Sequence, residues 1–354
     1  MDKQKTKRAA PQLIGRAAAR AAQLWNEEHL HTLLTGVQRF VLCAVLTRGA
    51  VLGGYAPFGL AMASALMARG AGLSAIGGMF FGAMLLGGGI KSGLYAAAAL
   101  LVLCVMSVCA GLRVMERRWF APTVATLSGA ACTFVFLPAG AALDTAALLT
   151  FIAVQGLTFA ACWIYGGALA PPREENDWKR PATLLAVTAT VLLSLSDLTV
   201  FGLFAPARVV ALLLALAAAY LGGSTTGAAA GVAFGAAMDL AVGYGALFTC
   251  CYGLCALIAG LFRDQGRLWF AVCALASGVC AAMLGVEHAL FIPLVIEQVC
   301  SVGLFAAMPP LVWNALRQTL LPDTLMGESA RQQVRQTAGK CATEAAQAFY
   351  EMYL

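Results

Sequence analysis

The chain has 354 residues, of which 61% are hydrophobic and 11% charged, with a formal net charge of +6. A soluble domain carries about 25% charged residues, so this composition excludes an ordinary water-soluble protein. The basic excess is scattered over loops and gathered at the N-terminus without interleaved aromatics, so no nucleic-acid partner is expected.

Residues 1–32 form a basic segment, expected to be cytoplasmic. Lys3, Lys5, Lys7, Arg8, Arg16 and Arg20 all precede the first apolar run, and a positive flank stays inside. From Pro11 the spacing of Leu13, Ala17, Leu24 and Trp25 also suits an interfacial helix, with anionic-lipid binding as the alternative to a topology signal alone. It is no signal peptide, because its basic region is long and the apolar run starts late.

Residues 33–313 read as a multi-pass, all-α membrane bundle whose partner is the lipid bilayer. A first segment over 33–52 contains Arg39 and Arg48 and breaks at Gly53-Gly54-Tyr55-Ala56-Pro57. The next, 58–68, is short for a crossing and reads as re-entrant. Segments at 73–88 and 94–112 flank Lys91, and Arg113, Arg117 and Arg118 form a basic turn. Two more follow at 119–137 and 146–169. The polar stretch 170–181 (APPREENDWKRP) divides the domain into halves, 33–169 and 182–313. The second half has segments at 182–203, 206–221, 222–243, 246–262, 268–285 and 290–312, with Arg263 and Arg267 in another basic turn. The total is ten to twelve segments.

The most informative of these is 222–243, GGSTTGAAAGVAFGAAMDLAVG. Gly223, Gly227, Gly231 and Gly235 recur every four residues, one row along a helix, with Asp239 next in the row. Interior glycines weaken a helix in water, whereas in lipid they admit a neighbouring backbone. The row predicts helix packing. Asp239 is either a satisfied part of that seam or a ligand or ion site.

A repeat runs through the two halves. Ala56-Pro57 is similar to Ala205-Pro206, GGMFFGAML (77–85) to AGVAFGAAM (230–238), and GLTFAA (156–161) to GLFAA (303–307). Gly70, Ser74, Gly78 and Gly82 echo the glycine row, and each basic turn precedes Trp-Phe-Ala. Basic turns on one side require parallel repeats with even span counts; five spans per half would invert them.

Beyond Trp313 the chain becomes polar. Residues 314–354 read as a cytoplasmic linker helix, where Val334, Ala338, Cys341, Ala345, Ala348 and Met352 follow a 3.5-residue period. The helix either self-pairs, giving a homo-oligomer, or lies alone against membrane or partner.

Nothing in the pattern announces catalysis, a metal site or a cofactor. No Ser/His pair, H-E-x-x-H or P-loop is present. Of the 12 cysteines, all but Cys341 fall inside apolar runs and read as small packing residues. The ionisable residues in or near the spans divide by sign. Arg39, Arg48 and Lys91 lie in the first half, Asp197, Asp239 and Glu297 in the second. Pairing between halves, a substrate path or snorkelling to the interface would each lower the insertion cost.

Some of these residues carry a family likeness. Arg48-Gly49-Ala50, then Ala56-Pro57-Phe58-Gly59-Leu60-Ala61, resembles the start of the membrane region of stage II sporulation protein E. The run 253–263 (GLCALIAGLFR), with Gly266-Arg267, resembles a later stretch of that family. The resemblance implies a bacterial inner-membrane protein of a spore former, both termini cytoplasmic, placed at the division septum with the tubulin-like division protein. It also implies a cytoplasmic linker and a metal-dependent serine phosphatase that acts on an anti-anti-sigma factor. No catalytic residue of that phosphatase maps onto this chain, so a non-enzymatic membrane region alone, or a shortened relative, is expected. A small-solute carrier with a site near Asp239 is the alternative.

Overall fold

The structure, a computed structural model, describes residues 30–52, 54–70, 72–87, 90–135, 144–170, 179–200, 204–243, 245–283, 291–309 and 313. The interfacial helix expected before residue 30 and the linker helix expected in 314–354 lie outside the described residues. The chain forms two compact units, Met1–Trp163 and Ile164–Leu354.

In the first unit, α1 (Leu30–Leu46) is followed by a tight loop closed by one antiparallel bridge, Val51 to Tyr55. Pro57 then starts α2 (Pro57–Met67), its fixed φ suiting a first helical turn. At 11 residues α2 is about 16 Å long, half of a bilayer core of roughly 30 Å. Its residues from Pro57 to Leu66 are buried, so α2 is wrapped by protein, as a re-entrant segment must be. α3 (Gly72–Phe81) runs into a π-helical turn, Gly82–Gly87. α4 (Ile90–Val108), a 3-10 turn at Arg113–Glu116, α5 (Phe120–Val135) and α6 (Thr145–Ala168), which runs across the boundary at Trp163, complete the order. α2 touches α3, α4 and α5, and α4 touches α3 and α5. Against α1, Gly78 faces the Phe40 backbone, and a Cβ on Gly82 would stand 2.7 Å from the Ala44 carbonyl oxygen.

The second unit repeats the order. α7 (Lys179–Ser194) ends earlier than the 182–203 expected, and a loop closed by the bridge Val200 to Phe204 leads to Ala205-Pro206. α8 (Pro206–Gly222), α9 (Ser224–Val242) and α10 (Leu247–Leu261) follow. A 3-10 turn at Arg263–Gln265, α11 (Arg267–Ala282) and α12 (Phe291–Ala307) finish it. α9 is its centre, in contact with α7, α8 and α10, while α12 closes against α8 and α11.

Outward faces are apolar: Val108 is 82% exposed, Val135 80%, Leu149 68% and Leu268 73%. Water would make such a surface an aggregation hazard, whereas lipid tails are its natural solvent. α6 and α9 have both the length and the hydropathy of a full crossing, and the other apolar helices, with α4 counted from Gly93, run 10–17 residues. This is a helical membrane bundle among the described residues. At one end of the second unit Tyr220, Phe270, Phe305 and Trp313 gather with ring centroids 4.8–5.5 Å apart. Arg267 donates from Nη2 to the carbonyls of Phe305 and Met308 and lies 5.6 Å from the Phe305 and Trp313 rings. Aromatic and arginine side chains together are the composition of a membrane–water interface.

Candidate functional site

The glycine row faces inward. A Cβ on Gly231 would stand 2.5 Å from the Tyr252 carbonyl oxygen, and one on Gly235 2.5 Å from that of Phe248, so α10 rides directly on the α9 backbone. Gly227 meets Ala219 of α8 in the same way. Gly223 departs from the predicted row: with φ of 89° it forms the break between α8 and α9. Gly70, its counterpart before α3, has φ of 77°. Both are turns that a side chain would strain. From Gly227 to Gly235 the row therefore serves packing within the unit. Gly78 and Gly82 pack on α1, two helices earlier, where Gly231 and Gly235 pack on the following helix α10, so the echo in sequence does not extend to the partner helix.

Asp239 closes the same seam. Its Oδ1 accepts the Phe248 N–H at 2.9 Å, and its Oδ2 accepts the Thr249 N–H at 2.8 Å and the Thr249 hydroxyl at 2.6 Å. Ala246, the N-cap of α10, provides no side-chain cap, so a carboxylate from α9 does the capping from across the seam. Charge at a helix N-terminus is favourable and both oxygens are engaged.

The second polar group lies where α8 begins. Ala205 provides no side-chain cap either, and its N–H donates to Glu297 Oε1 of α12 at 2.9 Å. Arg208 Nη1 is 3.4 Å from the same oxygen, with its guanidinium 5.1 Å from the Phe248 ring centroid. Tyr252 Oη donates to the Arg208 carbonyl at 3.3 Å, and Ser301 Oγ lies 3.0 Å from the Val209 carbonyl and 2.7 Å from that of Glu297. Gln298 donates from Nε2 to the Gly278 carbonyl at 3.0 Å. Three atoms of this cluster are buried without a partner: Glu297 Oε2, Arg208 Nε and Gln298 Oε1.

The partners of Asp239 and Glu297 thus belong to their own unit, and the pairing between halves expected from the sequence is not how either carboxylate is satisfied. Arg48 is half-buried in the turn after α1, Asp197 is exposed at the end of α7, and the side chain of Lys91 on α4 lies outside the described ones. Sequence reasoning missed Arg208, Tyr252 and Gln298. Arg208 had a signal, an isolated cation two residues after Ala-Pro in an apolar run; Gln298 and Tyr252 had none beyond polarity.

The first unit builds the corresponding place differently. Ala56 N–H donates to Tyr95 Oη at 3.0 Å, and Gly59 sits against Thr47 where the second unit has Arg208 beside its own Ala-Pro. Gln155 of α6 lies over Gly129 of Ser128-Gly129, as Gln298 lies over Gly278 of Ser277-Gly278. That register puts Val154 opposite Glu297, one helical turn away from the register suggested by GLTFAA and GLFAA.

Among the described residues no three His, Cys, Asp or Glu side chains gather as a metal site, and the described cysteines are free thiols. The geometry closes helices and caps their ends; among the described residues it presents no nucleophile with a base.

Compared with known proteins, the chain matches the family model described as SpoIIE, N-terminal domain, over residues 1–317. No curated protein and no solved structure matches it.

Proposed function

Because the chain belongs to the SpoIIE N-terminal domain family, we propose that it is the localisation and assembly module of a SpoIIE-type sporulation protein. In this reading the module sits in the bacterial cytoplasmic membrane as a multi-pass bundle with both termini inside. It anchors at the division septum and associates with further copies of itself and with the tubulin-like division protein. Through residues 314–354 it couples to a cytoplasmic phosphatase or partner in sigma-factor activation.

The observation that carries the reading is the family match across residues 1–317 of 354. The fold supports it in two ways. Asp239 and Glu297 are engaged in capping and closing helices, as a scaffold requires. Its two basic turns, Arg113–Glu116 and Arg263–Gln265, hold the same place in the order of each unit, which suits parallel repeats with both turns inside. A solute carrier centred on Asp239 has less behind it, since both carboxylate oxygens already accept from α10. A fluorescent fusion of the full chain in sporulating cells should concentrate at the division septum. Even membrane fluorescence throughout division would overturn the proposal.

A further inference from the structure

The two units solve one structural problem twice, and only the second uses charge. Each starts its short helix at Ala-Pro after a one-bridge loop, and in each that alanine N–H is taken by a distant side chain. The first unit closes the place with Tyr95 and Gly59, the second with Arg208 and Glu297. The architecture therefore does not require an ion pair, and apolar packing of equal volume commonly matches or exceeds the stability of a buried one.

The pair is also incomplete. Glu297 is 2% exposed and Gln298 1%, with Arg208 at 9%, yet Glu297 Oε2, Gln298 Oε1 and Arg208 Nε have no protein partner. The free atoms are two acceptors and one donor. Around them Arg208 and Glu297 sum to zero charge, so an additional ion would leave a net charge in a low-dielectric core. Phe248 and Tyr252, each at most 1% exposed, stand beside the pair, Phe248 under the Arg208 guanidinium and Tyr252 on the Arg208 carbonyl. Small neutral molecules that both donate and accept match these atoms, and water has that inventory.

We infer that the junction of α8, α10 and α12 is an internal hydration site, in which water completes the hydrogen bonding of the Arg208–Glu297 pair inside the bilayer. In the first unit the corresponding alanine N–H is closed by Tyr95 without an ion pair, although Gln155 Oε1, the counterpart of Gln298 Oε1, is also buried without a partner. The second unit thereby gains a solvated joint where α8 starts against α12, the last described helix before the polar C-terminal segment.

Radiolytic hydroxyl labelling of the full chain in nanodiscs tests this, because radicals made from bound water oxidise the side chains that line it. Tyr252, at 1% exposure, should be oxidised promptly, and Tyr95, at 5%, should not. Tyr252 labelling no faster than Tyr95 overturns the inference. In the double variant Arg208→Met with Glu297→Leu, labelling of Tyr252 should fall to the level of Tyr95 while cooperative melting is retained; unchanged labelling in the folded variant also overturns it. If that variant does not fold, Gln298→Leu, which removes one free acceptor, should lower the Tyr252 rate, and no change counts against the site. A Tyr252 rate that depends on whether the salt is sodium chloride or potassium gluconate would assign the place to an ion, and water would be the wrong guest.

Discussion

Single side chains in this bundle matter through what they leave behind when removed. Arg208→Ala strips the only cation from beside Glu297 among the described contacts, and a buried carboxylate left unpaired costs about 3–5 kcal/mol. Arg208→Met with Glu297→Leu should lose much less than that single variant, measured by thermal or denaturant unfolding in detergent. Asp239→Ala withdraws the acceptor from two backbone N–H groups and one hydroxyl, so a loss of roughly 1–3 kcal/mol is expected in the same assay. Legibility at this scale was uneven. Asp239 stood out because a carboxylate in a glycine row is anomalous in lipid, and Glu297 because it interrupts an apolar run. Their partners were illegible: the Ala205 N–H is 92 residues from Glu297, and a backbone donor leaves no trace in composition.

Helices are assembled here by backbone proximity. Gly231→Leu must displace the Tyr252 carbonyl, which belongs to α10 itself and not to a flexible tip. It should prevent α9 and α10 from closing, seen as loss of cooperative melting and of folded material in detergent. Gly303→Ala on α12 meets nothing within 4 Å and serves as the contrast. It should be neutral or add up to about 1 kcal/mol, since alanine stiffens a helix where space allows. Element positions were largely readable, because long apolar runs punctuated by Gly, Pro and arginine turns bound each helix. Which neighbour a glycine row serves was not, since a row exposes the same pattern to any helix that approaches it.

For the whole molecule the order of elements argues for duplication. Both units run helix, bridged loop, Ala-Pro helix, glycine-turn helix, helix, arginine 3-10 turn, helix, helix. Parallel repeats then predict that single cysteines placed in Arg113–Glu116 and in Arg263–Gln265 react with an impermeant maleimide from the same side, the cytoplasmic one. Labelling from opposite faces would mean inverted repeats. Hydropathy is a sum along the chain, so the solvent, the helical class, the glycine seam and the family likeness were determined by the sequence alone. Only the tertiary structure decided that the glycine row is consumed within one unit, that Asp239 caps α10, and that Glu297 answers Arg208 rather than a cation of the other half. Those outcomes depend on distances between segments remote along the chain, and residue spacing carries no record of which segments folding will bring within hydrogen-bond reach.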